Sequence, residues 1–354
     1  MTEMLPLHGG DLPAAARRFG LAEDRWLDLS TGINPHAYPM PALPLDLWQR
    51  LPFPGEELAL RAAAAAAYGA PDPDWVVAAP GTQALIQLLP RILPTLLPSS
   101  FRKEGEPVRV GVLSPTYAEH AASWAAAGCE MVAAQGLEDL FHCHIAIVVS
   151  PNNPTGRAWG AEELRPLRES LAVRGGFLLL DQAFADVLPP ARQLVLTAEG
   201  EEGRGLIILR SFGKFYGLAG VRLGFALTAP ALAARLRQAL GPWAVSGPAL
   251  LVGVAALSDR AWQEEMRARL AEQAEALDDV LRAAGLTLAG GTSLFRLALC
   301  EDGWQLWRQL AEQGILTRAF AYERRWLRLG LPPTAAGLDR LAVALAKVGA
   351  KVEA

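Results

Sequence analysis

The sequence predicts an α/β protein: a large domain whose mostly parallel sheet is covered by helices on both faces, and a smaller α+β domain at the C-terminal end. Three observations carry that expectation. Between residues 108 and 227, five short apolar runs alternate with segments whose apolar residues recur at helical spacing. Prolines, asparagines and hydroxyl residues cluster just after those runs, where a parallel sheet collects its ligand at the carboxyl ends of its strands. Past residue 255 the pattern changes to one long amphipathic segment followed by short strands.

Taken in order, residues 1–45 are punctuated by Pro and Gly, with one strand-like piece, "RWLDLS", and read as an N-terminal arm. "LRAAAAAAYG" is a strong helix former, and "APGTQALIQLL" opens a helix just after Gly81. Five buried strands follow: "VRVGVLS" (108–114), "HIAIVVS" (144–150), "GFLLLDQ" (176–182), "GLIILRS" (205–211) and "LGFAL" (223–227). Between and after them lie "AEHAASWAAAG", "GAEELRPLRESLAVRG" and "PALAARLRQAL", each stopped by a glycine, the residue that tolerates a left-handed helix end. These segments define a large domain over 46–254. The amphipathic "SDRAWQEEMRARLAEQAEALDDVLRAAG", the strands "LTLAG", "LFRLAL" and "WLRLGL", and the helix "GWQLWRQLAEQG" define a small domain over 255–354.

The bulk composition excludes several partners. A net charge of −4 with no concentrated basic face argues against nucleic acid. No uncharged apolar segment approaches about 18 residues, and the first 20 residues lack the pattern of a secretory signal, so neither membrane nor export is expected and the cytoplasm is. Cys129, Cys143 and Cys300 are odd in number and widely spaced, which predicts reduced thiols. "FHCHI" (141–145) reads as a strand edge rather than a metal site, because no CxxC or HExxH accompanies it.

Chemistry concentrates in "SFGKFYGLAGVRLGF" (211–225). The chain has only four lysines, and Lys214 stands among glycines and aromatics rather than on a charged surface stretch. Pyridoxal 5'-phosphate needs an amine for its aldehyde, an acid for its ring nitrogen, a donor for its phenolic oxygen and a cationic cradle for its phosphate. Lys214 supplies the amine, Asp181 the acid at the end of an apolar strand, and Asn153 of "SPNNPTG" the donor. Gly81, Thr82 and Gln83 open a helix whose unpaired N–H groups attract a phosphate. Ser211 and Arg222 close that cradle, since a guanidinium fork matches phosphate oxygens, and Tyr117 can stack on the ring. Nucleotide motifs are missing: Phe215 follows Lys214 where GxxxxGK[ST] needs a hydroxyl residue, and no strand carries GxGxxG.

The ordered set "PGTQ", "PTY", "PNNPTG", "LLDQAF", "SFGKFYGLAGVRLGF" and "LRLG" resembles the aspartate-aminotransferase fold of pyridoxal-phosphate enzymes along nearly the whole chain. Within it the chain is similar to the histidinol-phosphate aminotransferases and to the L-threonine-O-3-phosphate decarboxylases of cobalamin biosynthesis. "LHGGD", "LDLSTGINP" and "LGPWAVSGPA" favour the second family. The resemblance implies a Schiff base on Lys214, Asp181 on the pyridine nitrogen, Asn153 on the ring oxygen, and Thr82, Gln83, Ser211 and Arg222 around the phosphate. It also implies that Arg328 takes the substrate carboxylate, that His8, Gly32 and Asn34 face the substrate, and that Arg318 is the candidate for the substrate phosphate.

Three positions depart from the family pattern. Phe184 stands where a tyrosine commonly adds a hydrogen bond to the ring oxygen, a loss of about 1 kcal/mol. Gly32 replaces an asparagine of the arm, and Leu51 replaces a tyrosine that reaches a partner subunit, which puts the cross-subunit contact of the implied homodimer in question. The expected activity is decarboxylation of L-threonine O-3-phosphate to (R)-1-amino-2-propanol O-2-phosphate. Transamination of histidinol-phosphate type and a non-catalytic role in a cobalamin-assembly complex are the alternatives.

Overall fold

The computed structural model describes residues 9–101, 105–193 and 205–352, and divides them into two compact units. One is Tyr38–Asn153 with Arg157–Gln263. The other is the chain up to Ala37, Pro154–Gly156 and the chain from Glu264 onward.

The first unit is built on a seven-stranded sheet. From one edge its order is Val76–Ala79, Gly224–Thr228, Leu206–Ser211, Phe177–Asp181, Ile145–Val149, Arg109–Leu113 and Glu130–Ala134. The last five run parallel, while Gly224–Thr228 is antiparallel to both neighbours. Every residue of Ile145–Val149 and Phe177–Asp181 is buried, which is why these segments read as unbroken apolar runs instead of alternating ones. Two strands escaped the sequence reading. Val76–Ala79 is only four residues long, and Glu130–Ala134 is a partly buried edge strand. The core joins Val77, Leu85, Ile86, Trp124, Ile147, Leu179 and Ile207 across sheet and helices. The alanine-rich helix Pro54–Tyr68 packs on Gly247–Ser258, close enough that a Cβ on Gly253 would meet Leu60 Cδ1 at 2.6 Å.

The second unit carries an antiparallel sheet in the order Arg318–Phe320, Glu323–Gly330, Phe295–Leu299 and Thr287–Thr292. The arm's "RWLDLS" contributes Leu27–Asp28, which pairs parallel with Ile315–Leu316. Gly330 makes the arm's approach possible, because a Cβ there would lie 2.3 Å from the Thr31 carbonyl oxygen. No helix among the described residues is long and apolar enough to cross a membrane. "FHCHI" is the end of a 3₁₀ turn, Leu137–His142, and the approach to Ile145–Val149. His144 accepts the Arg109 N–H at Nδ1 (2.9 Å) and donates from Nε2 to the Phe101 carbonyl (3.1 Å), so backbone groups take both ring nitrogens.

Candidate cofactor and substrate sites

All nine candidate cofactor residues lie in the seven-stranded unit: eight at the carboxyl ends of its parallel strands or the start of an adjoining helix, and Arg222 just before the antiparallel strand Gly224–Thr228. Asp181 ends its strand at 3 % exposure. A carboxylate oxygen so buried needs donors. Oδ1 accepts the Ala183 N–H at 2.9 Å, and Oδ2 lies 2.8 Å from Nε2 of the fully buried His120. A carboxylate oxygen accepts, so Nε2 carries a hydrogen; Nδ1 is buried without a hydrogen-bond partner among the described residues. Sequence reading missed His120. Its one signal is the spacing "YAEH", one helical turn past Tyr117, and its partner is 61 residues away in sequence.

Lys214 rides on the four-residue helix Phe212–Phe215, which continues directly from Leu206–Ser211. Phe212 and Phe215 are buried, and the Phe212 and Tyr216 rings stack at 4.6 Å, so the turn that carries the lysine is anchored by its aromatic neighbours. Gly213 is needed within it: a Cβ would come within 2.8 Å of Ala219 Cα. Nζ of Lys214 stands 5.8 Å from the centroid of Phe184, the ring that replaces the family's tyrosine.

A cradle forms where two strands meet a helix. Ser211 pairs across the ladder with Gly224, and a Cβ on Gly224 would lie 2.5 Å from the Thr82 nitrogen, in the first turn of helix Thr82–Ile92. Gly81 caps that helix at φ +87°, and the space its missing Cβ leaves is bounded by Arg222 Nη2, 2.8 Å away. Arg222 itself holds φ 55°, a left-handed conformation costly for a non-glycine residue and typical of sites whose surroundings impose it. A guanidinium and a helix N-terminus thus converge on one point, the donor set a phosphate requires.

The aromatic side of the site is also linked. Tyr117 donates from its hydroxyl to Gln83 Oε1 (3.2 Å), and Gln83 donates in turn to Glu119 (2.9 Å). Burial first, then the Glu119 and Asp181 charges, push the Tyr117 hydroxyl up, so it remains a donor at neutral pH. Of the two asparagines in "SPNNPTG", Asn152 fastens the loop: it accepts from Thr116 Oγ1 at 2.6 Å and donates to the Pro115 carbonyl at 3.0 Å. Asn153 is half-buried beside it. Amine, buried acid with its own hydrogen-bond donor, and phosphate cradle within one unit fit a phosphorylated pyridine aldehyde.

The candidate substrate residues lie in the other unit. Arg318 and Arg328 are direct partners across the antiparallel ladder, so both side chains emerge on the same face. Arg328 is 7 % exposed, donates from Nη2 to the Ser30 carbonyl (2.7 Å) and lies over the Phe295 ring at 5.2 Å. Burial, then the neighbouring Arg318, push Arg328 down to about 10, which leaves it cationic at neutral pH. Burial lowers Arg318 as well. Asn34 is buried, and its Oδ1 accepts the His36 N–H at 2.8 Å, closing a turn of the arm. Gly32 is buried two residues earlier, and His8 lies outside the described residues.

Against known proteins, residues 51–345 match the family model "Aminotransferase class I and II". The chain is 44 % identical over 341 residues, 96 % of each chain, to the threonine-phosphate decarboxylase of Pseudomonas aeruginosa. It is 41 % identical to the protein of that name from a Sinorhizobium species, with 97 % of this chain and 98 % of that one covered. A solved histidinol-phosphate aminotransferase from Sinorhizobium meliloti, in complex with pyridoxal-5'-phosphate, shares the fold with a TM-score of 0.79 at 21 % identity, covering 99 % of both chains. The chain belongs to the class I and II aminotransferase family, and its cofactor is pyridoxal 5'-phosphate.

Proposed function

We propose that this chain removes the carboxyl group of L-threonine O-3-phosphate, yielding CO2 and (R)-1-amino-2-propanol O-2-phosphate for cobalamin assembly. One observation carries the reading beyond the resemblance to relatives of that name: Arg318 and Arg328 stand directly opposite on one sheet face. Like charges placed so repel, and an anionic ligand relieves the repulsion. A substrate with both a carboxylate and a phosphate offers one anion to each guanidinium, Arg328 to the carboxylate and Arg318 to the phosphate. Asn34, Gly32 and His8 of the arm complete the substrate contacts.

Bound pyridoxal 5'-phosphate supplies an electron sink for the bond broken at the substrate α-carbon. Lys214 would supply the amine that holds the cofactor aldehyde and would move a proton at the substrate α-carbon. Asp181, steadied by His120 and the Ala183 N–H, holds the proton on the ring nitrogen. Asn153 would donate to the ring oxygen and Tyr117 would lie against the ring, while Ser211, Arg222 and the Gly81–Gln83 turn would hold the phosphate. Arg328 would hold the substrate carboxylate, and the orientation it imposes at the α-carbon would select loss of the carboxylate over loss of the hydrogen.

The same proposal divides the labour, with residues 46–254 binding the cofactor and the 1–45 arm and 255–354 region binding the substrate. It includes a cytoplasmic homodimer. The unbridged thiols of Cys129, Cys143 and Cys300 and the exposed apolar side chains of Trp48, Leu51, Phe53 and Trp243 support this. The test is incubation of cofactor-loaded protein with L-threonine O-3-phosphate and no keto acid, following CO2 and aminopropanol phosphate by mass. Release of both is expected. Turnover of histidinol phosphate only with added 2-oxoglutarate would replace the decarboxylase reading with an aminotransferase.

A further inference from the structure

Below the cofactor candidates lies a buried polar cluster that none of the roles above uses. Arg210 is 1 % exposed and directly precedes Ser211. Its guanidinium donates from Nη1 to Gln182 Oε1 (2.9 Å) and from Nη2 to Gln193 Oε1 (2.9 Å), pairs with the buried Asp186, and lies 4.3 Å from the centroid of the Tyr68 ring. All three polar partners belong to one segment, 182–193. That segment starts where backbone pairing stops: the ladder between Phe177–Asp181 and Leu206–Ser211 ends at Asp181 opposite Leu209, with a last bond from the Gln182 N–H to the Leu209 carbonyl (2.9 Å). Beyond it come only the short turns Ala185–Val187 and Pro190–Arg192.

We propose that Arg210 is a positioning residue for the cofactor site: it ties segment 182–193, and with it the Asp181 carboxylate and the Phe184 ring, to the strand end that carries Ser211 and Lys214. A buried ion pair is often no more stabilising than apolar residues of equal volume, so what the guanidinium adds is a rigid fork of donors with fixed directions. One side chain therefore fixes segment 182–193, beyond the last backbone pair at Asp181, to the strand that leads into Ser211 and Lys214. The inference rests on the proposed roles of Asp181 and Lys214.

The experiment compares holoenzymes of the parent, Arg210→Met, Arg210→Lys, Gln182→Leu and Gln193→Leu, with Lys214→Ala as control. It reads the pH titration of the visible band of the bound cofactor together with kcat and KM. In the Arg210 variants the titration midpoint is expected to move by about one unit, as a displaced charge partner moves it. kcat is expected to fall by up to about a hundredfold with KM changing far less, the signature of misplacement rather than lost binding. Arg210→Lys stays defective because it lacks the fork, and the two glutamine variants show the same shift in smaller measure. Variants that melt earlier yet keep the parent's titration and kcat would reduce Arg210 to a structural residue and overturn the inference. If Arg210→Met does not fold, the glutamine variants decide on the same readouts. Cofactor that borohydride still fixes covalently to the Lys214→Ala protein would instead sink the reading of the site itself, a separate failure.

Discussion

At Asp181 the question for any single residue of this site is which neighbours keep its polar atoms satisfied. The carboxylate has two donors, the His120 ring and the Ala183 N–H, and both are used. His120→Phe removes the side-chain donor while preserving most of the volume. The hold on the ring nitrogen proposed for Asp181 is then expected to weaken by about 1–3 kcal/mol, to be read as a lower kcat and a shifted titration of the bound cofactor in a protein that still folds. Lys214→Ala is expected to abolish covalent capture of the cofactor, checked by borohydride reduction and mapping of the modified peptide. Arg328→Ala leaves the face with one guanidinium where two anions are to be held; a loss of about 2 kcal/mol or more in kcat/KM follows, as when one partner of a buried charged contact is truncated. Arg328→Lys recovers little of this because an ammonium cannot offer two parallel donors.

At the scale of elements, function depends on how closely a helix start and two strand ends can approach. The N-terminus of Thr82–Ile92, the proposed phosphate cradle, meets the Arg222 guanidinium because Gly81 turns at φ +87° and leaves space for it. Gly81→Ala adds about 1–3 kcal/mol of backbone strain and a collision with Nη2 of Arg222. The affinity of the apoprotein for pyridoxal 5'-phosphate is expected to drop while its circular-dichroism spectrum stays that of the parent. A fluorescence titration measures this, and unchanged affinity would remove the helix start from the site.

For the whole molecule, the acid limb of stability offers a check. Glu56 is held down to about 2, chiefly by its hydrogen bonds from Arg50, then by the Phe53 N–H. A carboxylate lowered in the folded state contributes stability above its ordinary value of 4.5, and that contribution disappears as the pH falls through about 2. Glu56→Gln is therefore expected to be slightly less stable than the parent at neutral pH and equal to it at the acid end, as urea titrations at the two pH values would show. The margin is small because the pair sits at the surface.

Local chemistry determined much of this protein from the sequence alone. The five apolar runs became strands because only a sheet buried on both faces suits such runs, and "PGTQ", "PNNPTG" and "SFGK" follow strands or open helices because Gly, Pro and Asn impose turns there. The residue types a phosphorylated pyridine aldehyde needs were legible for the same reason. Hidden in the sequence were His120 beside Asp181, Arg210 across segment 182–193, and Arg318 opposite Arg328. Each joins residues far apart in the chain or set by strand register. Spacing along a chain encodes helix faces and strand faces, but which strand lies next to which, and in what register, is decided only when the tertiary structure closes.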